Sequence, residues 1–350
     1  MAVNFENIYA KGNDNYKASP GSAVYGEYAH KIKMFISEES DNWEKNKDIT
    51  KKLFVIEKSN AAGEAIVGES NFGIFDDVGE GAEAPATTVK PMYDKYITHH
   101  EFKKSFTVTK TMMEDSKNGI ASEAKLRARN FARAYGMTRN KLAAAALYNG
   151  RLASMTFAGA SYDIATADQK PLFSTAHTFA NISGTQSNYF EADLSTSEKV
   201  ENALTAVAVQ MRNFKDENGE ALGYVPNVIV LPGNRGKLET LVKKVVGTER
   251  TAGTNNNDIG LQYNNWDIVI MTDWQADEDV FIVMSTDARD ALMGSVLYDR
   301  VPLTVRYDVE HLTENQVWVG RARMGVGHPS WKHVAMVTGD TSKEATALSL

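Results

Sequence analysis

Between Asn118 and Arg151 the residues Ile120, Ala124, Phe131, Tyr135, Leu142 and Ala146 recur at helical spacing, and no proline interrupts the run. Alanine-rich filling raises helix propensity, so the stretch predicts one helix of roughly 30 residues, about 45 Å long. Most globular helices are much shorter, and the rest of the chain is read as organised around this one. On the face roughly opposite the apolar stripe, Lys125, Arg129 and Arg133 follow at i, i+4 and i+8 with no acidic residue in register. Either an acidic surface covers this ridge or water does.

The 350 residues, 43% hydrophobic and 24% charged, suffice to bury a sizeable core in more than one lobe. A formal net charge of -7 argues against a protein that coats nucleic acid directly, because such proteins draw their affinity from clustered Lys and Arg. Cysteine is absent, which excludes disulfides, a thiolate nucleophile and a Cys-ligated zinc, and leaves stability to packing or assembly. Met1 to Ala10 is polar and no apolar run of signal-peptide or membrane length lies near it, so the chain is read as made and used in a cytoplasm.

Met1 to about Asn46 is polar, with Tyr9, Tyr16, Tyr25, Tyr28, Phe35 and Trp43 scattered among turn residues. It builds no core of its own. It is either a disordered tail or, as the spaced aromatics suggest, an arm lying on other parts of the protein or on a neighbouring subunit. Lys51 to Lys58 and Glu101 to Thr109 read as strands, the second by its alternation of Phe102, Ser105, Phe106 and Val108. The insert between them, Asn60 to Pro91, carries five glycines and the acids Glu64, Glu69, Asp76, Asp77, Glu80 and Glu83, with no Lys or Arg before Lys90 at its root. Strand-like fragments at Ala65 to Val67 and Phe72 to Phe75 predict an extended two-stranded arm, and an isolated hairpin needs a surface to rest on.

Leu152 to Asp193 is rich in turn residues and reads as irregular surface structure. Ser195 with Glu198 forms a capping box that opens an amphipathic helix, with Val200, Leu204, Val207, Met211 and Phe214 on one face. Asn227 to Leu231 reads as a strand, Gly236 to Val246 as a helix, and Trp266 to Met271 and Val280 to Met284 as strands, which together make an α/β lobe. Val301 to Val309, Gln316 to Gly325 and His333 to Val337 are expected to return as antiparallel strands beside the long helix, so that the two lobes interleave.

No motif organises an active site. Gly233-Asn-Arg-Gly-Lys237 lies between a strand and a helix, but two residues separate its glycines where a P-loop needs four, and Leu238 stands where Ser or Thr would meet magnesium. His99 and His100 are adjacent on a strand, so their rings diverge. Ser174 with His177, and Glu310 with His311, lack a nucleophile elbow. Asp76 and Asp77 sit on a glycine-rich arm and read as solvated or docked charges. The chain is not expected to be an enzyme, and no catalytic residue, cofactor or metal is assigned.

The order of polar arm, acidic β insert, long basic helix, irregular segment, α/β lobe and returning strands resembles the major capsid protein of tailed bacteriophages. Phe106-Thr-Val-Thr109 with Met112-Met-Glu-Asp115, Pro171-Leu-Phe-Ser-Thr-Ala-His177, and Asp216-Glu-Asn-Gly-Glu-Ala-Leu-Gly223 followed by Pro226 and Val228-Ile-Val-Leu-Pro232 are similar to the Mu-type major head subunit family. The resemblance implies an α+β, Hong Kong 97-type capsid fold. Its parts would be an N-arm over 1–50, a strand with the E-loop insert (about 60–91) and return strand over 51–112, a P-domain over 113–193 with the spine helix (about 118–151), an A-domain over 194–288, and returning P-domain strands with a tail over 289–350. It further implies self-assembly into hexamers and pentamers of an icosahedral shell around double-stranded DNA, held without sequence-specific binding. Portal, scaffold and decoration proteins are the other implied partners, with no membrane, and the place is the virion, assembled in the host bacterial cytoplasm. The net charge agrees with a wall that does not hold DNA fast.

Two departures narrow that expectation. The insert has lysines only at its roots, Lys58 and Lys90, so no isopeptide crosslink from its tip is expected. The chain enters its arm at once, which favours a separate scaffold protein. The rival readings are an encapsulin-like compartment shell and a soluble enzyme with a dispersed site. The sharpest expectation concerns charge: Asp76, Asp77, Glu80 and Glu83 of one subunit meet Lys125, Arg129 and Arg133 of another, each exposed pair contributing about 0–1 kcal/mol and repetition fixing the register.

Overall fold

The computed structural model of the chain describes residues 23–69, 77–81, 83, 84, 86, 91–109, 120–247 and 265–342. The first described elements are a 25-residue helix, α1 (Ala23–Lys47), and the single turn α2 (Thr50–Leu53). Asp48 starts α2 by accepting hydrogen bonds from the Thr50 amide (2.9 Å) and hydroxyl (2.5 Å). The polar segment read as a tail or arm is therefore helical from Ala23, and it does lie on the rest of the protein. Ile32, Phe35 and Ile36, three and one residues apart, give it a narrow apolar stripe that is buried.

Four strands follow: β1 (Val55–Lys58), β2 (Gly63–Glu69), β3 (Pro91–Thr98) and β4 (His100–Val108). β2 and β3 pair antiparallel from Gly63 opposite Thr98 to Glu69 opposite Pro91, so the Ala65 to Val67 fragment is in a two-stranded arm, but its partner strand starts at the end of the insert. The Phe72 to Phe75 fragment lies outside the described residues. The long helix α3 (Ile120–Tyr148) runs 29 residues unbroken. The turn after it holds Gly150, where a side chain is excluded because a Cβ would stand 2.8 Å from the Phe173 ring.

The segment expected to be irregular surface carries five short strands, β5 (Ser154–Phe157), β6 (Ala160–Asp163), β7 (His177–Thr178), β8 (Thr185–Gln186) and β9 (Tyr189–Ala192). It is not surface structure, since Ile164, Leu172, His177 and Asn188 are fully buried. Its polar residues go inside because they satisfy one another. Asp168 accepts from the Thr178 amide at 3.1 Å and lies 2.9 Å from His177 Nδ1, and the Asn188 amide group donates to the carbonyls of Leu172 (2.7 Å) and Val334 (3.1 Å).

The remaining elements are α4 (Ser197–Arg212), β10 (Val228–Pro232), α5 (Gly236–Gly247), β11 (Asp267–Met271), β12 (Val280–Met284), α6 (Thr286–Ala291), β13 (Val296–Val309), β14 (Gln316–Gly327) and β15 (Val334–Gly339). The cap of α4 is Thr196, one residue later than read, because Asp193 takes the Ser195 amide. One sheet has the order β1-β13-β14-β4, and a second the order β11-β10-β12-β15-β9.

The third returning strand corrects the sequence reading. β15 does not join β13 and β14 beside the long helix; it pairs antiparallel with β12 and parallel with β9, inside the five-stranded sheet. The reason is visible in its residues. Val334, Ala335, Met336 and Val337 are buried without alternation, as a strand covered on both faces requires, whereas β14 alternates along its first half.

Candidate functional site

Two surfaces singled out by the sequence, the ridge of α3 and the β2–β3 arm, are positioned by quite different contacts. α1 runs alongside α3 in the same direction, with Glu39 beside Arg129, Trp43 against Gly136, and the Lys47 carbonyl accepting from the Asn140 amide group at 3.1 Å. Arg129 is half-buried, and its Nε lies 3.5 Å from Glu39 Oε1 of its own chain. The basic ridge is thus partly answered by a carboxylate that sequence reasoning missed, because α1 was not read as a helix. The side chain of Lys125 and the whole of Asp76 lie outside the described residues. Arg133 is exposed, on an outward line of α3 that also holds Leu126, Asn130, Met137 and Lys141. Leu126 (54%) and Met137 (51%) are unusually open for their type, so the outward ridge is mixed apolar and basic.

The arm is anchored along one face of β3. Lys95, 2% exposed, pairs with Asp163 of β6 at 2.6 Å, and Tyr93 donates to the Phe179 carbonyl at 3.1 Å. The opposite face, with Val67 (61%) and Tyr96 (55%), is open, as are Asp77, Glu80 and Glu83. The structure brings none of these three acids to Arg129 or Arg133 within one chain.

Behind these surfaces, buried charge fixes the junction of α1, α3 and β13. Arg139 Nη2 lies 3.0 Å from Asp299 Oδ2 and its Nε 3.6 Å from Asp48 Oδ2, with Arg139 and Asp48 closed to solvent. Burial pushes the Asp299 carboxyl above the usual carboxylate range, against the pull of Arg139. The Tyr135 hydroxyl beside them is pushed up to about 12, by burial first and by the Asp299 charge second. A second buried pair, Lys332 with Glu217 at 3.3 Å, ties the segment before β15 to the turn after α4.

The motifs set aside on spacing are occupied structurally. Asn234 and Arg235 both bond the backbone of Ala276, so the Gly233 loop closes on its own lobe. His99 Nδ1 lies 2.9 Å from the Ala62 carbonyl, while His100 stacks on Tyr162 at 4.0 Å between centroids. His177 stacks on Trp331 at 4.4 Å and is sealed from water. Among the described residues no group of three or more His, Asp or Glu side chains is placed to hold a metal.

A long helix flanked by a sheet of returning strands, an extended arm and a separate α/β sheet is the fold of the tailed-phage capsid subunit, the Hong Kong 97 type. It resembles the capsid subunit of cyanophage P-SCSP1u with a TM-score of 0.51 at 12% identity, over 84% of this chain and 88% of that one. It resembles the capsid subunit of Myoviridae phage XM1 with a TM-score of 0.50 at 10% identity, over 83% and 92%. At such identities the likeness bears on the fold alone. Family membership rests on sequence: residues 93–337 match the family described as phage capsid protein, and the chain belongs to that family. No curated protein sequence matches it. The chain is a phage capsid protein.

Proposed function

We propose that copies of this chain assemble as hexamers and pentamers into an icosahedral head enclosing double-stranded DNA, as a Mu-type major head subunit. The observation that carries this reading is the presence of two open surfaces that do not meet within one chain. The arm offers exposed acids and the open face of Val67 and Tyr96, and the outer ridge of α3 offers Arg133, Leu126 and Met137. Apolar contact supplies the attraction, and charge of opposite sign sets the register.

In this reading 51–112 is the strand and E-loop that reaches over a neighbour, 113–193 with 289–350 the P-domain, 194–288 the A-domain, and 1–50 the N-arm. Asp76, Asp77, Glu80 and Glu83 contact Lys125 and Arg133 of the adjacent copy, with Arg129 shared between that contact and Glu39 of its own chain. The role is structural and involves no catalysis. Portal, scaffold and decoration proteins are the other partners, DNA is enclosed without base recognition, and assembly takes place in the host bacterial cytoplasm. Electron microscopy of the purified protein under assembly conditions tests this: shells, tubes or capsomers support it, and a uniform monomer contradicts it.

A further inference from the structure

The chain crosses between its two sheets twice at nearly one point. It leaves β12 through α6 and Gly294 and Ser295 to begin β13, and it leaves β14 through residues 328–333 to begin β15. Ser295, His328 and His333 sit on these crossings and are fully buried. Ser295 Oγ lies 2.8 Å from His328 Nδ1 and 2.7 Å from His333 Nε2. His328 Nε2 in turn lies 3.1 Å from the Ala146 carbonyl, which ties the crossings to the last turns of α3. The His333 carbonyl accepts from the Ser285 amide at 2.9 Å, at the start of the other crossing.

The hydrogen positions follow from the partners. A carbonyl only accepts, so His328 Nε2 carries hydrogen and its Nδ1 is a lone pair. Ser295 therefore donates to His328 Nδ1, and its oxygen accepts from His333 Nε2–H. His333 Nδ1 makes no well-formed hydrogen bond, and the Ser330 backbone lies beside its ring. Both rings are neutral. Burial is the first cause, holding His328 down at about 4 and His333 well below the usual range. The side-chain charges that act on the pair are cationic, Lys95 on His328 and Arg289 on His333, and each opposes a further proton. The backbone of Ala146 and of Ser330 favours the charged rings but is outweighed.

A proton added at His328 Nδ1 turns an acceptor into a second donor aimed at Ser295, whose own hydrogen then loses its acceptor. A proton added at His333 Nδ1 places a charge where water does not reach. The first event costs the Ser295 hydroxyl its acceptor and the second buries an unpaired charge, and each weakens the crossings. The strand ladders of β13 with β14 and of β12 with β15 do not run through these three side chains.

We propose that Ser295, His328 and His333 form an acid-opened clasp at the joint between the two sheets, whose protonation frees both crossings while each sheet keeps its strands. Rings whose folded pKa is depressed support the fold above the ordinary histidine value near 6.5, and that support is lost as pH falls toward about 4.

Hydrogen exchange of the full-length protein, read by mass spectrometry at about pH 7.5 and about pH 4.5 with times scaled for the intrinsic rate, tests this. Peptides over 286–296 and 327–334 should lose protection roughly tenfold at the lower pH, while those over 280–284 and 316–324 change less than about twofold. The double variant His328→Gln, His333→Gln takes up no proton there and should show no such loss. Unchanged crossings in the parent protein, the same acid loss in the double variant, or loss in all four segments together would overturn the clasp. If the variant does not fold, histidine ¹⁵N NMR of the parent decides: both rings must be neutral with hydrogen on Nε2 at about pH 7, and a charged ring or an Nδ1–H tautomer contradicts the proposal.

Discussion

Trp43 of α1 lies so close to Gly136 of α3 that a Cβ on the glycine would stand 2.3 Å from the indole ring. The glycine weakens the interior of a long helix, and its place there is explained by what it admits. Gly136→Ala adds roughly 1 kcal/mol of helix propensity and removes the seat of the indole. We expect a net loss of about 1–3 kcal/mol in thermal unfolding, with red-shifted tryptophan emission. A stabilised variant with unchanged emission would place α1 elsewhere.

Arg139 holds two carboxylates, Asp48 and Asp299, away from water. Arg139→Met strands both and should cost about 3–5 kcal/mol in urea unfolding at neutral pH. The deficit should narrow in acid. The Asp299 carboxyl is already raised by burial with Arg139 opposing the rise, so removing the guanidinium raises it further. A carboxyl that is raised on folding binds its proton more tightly in the folded state, which favours that state as pH falls. A deficit that is flat from about pH 8 to about pH 5 would contradict this.

Asn188 joins three segments from a fully buried position. It donates to the Leu172 and Val334 carbonyls at 2.7 and 3.1 Å and accepts from the Ser174 amide at 3.0 Å. Asn188→Ala leaves those groups without partners, and we expect a loss of about 2–4 kcal/mol by equilibrium denaturation. A change below about 0.5 kcal/mol would mean that water replaces the amide at no cost.

Arg129 and Arg133 should separate under charge reversal. Arg129→Glu faces Glu39 within its own chain and should lower subunit stability slightly. Arg133→Glu touches no carboxylate of its own chain among the described residues and should leave the melting temperature unchanged while lowering particle yield. Normal yield from the Arg129→Glu, Arg133→Glu double variant would count against the inter-subunit pairing.

Elements with a sustained period were legible before any coordinates. The long helix, read over 118–151, spans Ile120–Tyr148, and the run at Val280–Met284 is a strand with those ends. What escaped depends on partners distant in sequence. Among its described side chains α1 rests on Ile32, Phe35 and Ile36 in a polar run, and that stripe has meaning only against Ala128, Phe131 and Ala132 of α3 and Val108, Val305 and Trp318 of the sheet. β15 was read as a strand but assigned to the wrong sheet, because an apolar run does not name its neighbours. The segment 152–193 looked like surface because its polar residues find their hydrogen-bond partners in the interior. The basic ridge was legible as charge, but its division between Glu39 and the open Arg133 side required α1 to be in place.

The central claim is that this chain is completed by other copies of itself, through the arm and the outer ridge of the long helix. A cryo-EM map of particles assembled from the purified protein tests it most directly. The account predicts a closed icosahedral shell in which Asp77, Glu80 and Glu83 of one subunit lie within about 4 Å of basic side chains on α3 of the next. A shell whose arms lie away from that helix would contradict the interface, and a protein that stays monomeric under assembly conditions would contradict the account as a whole.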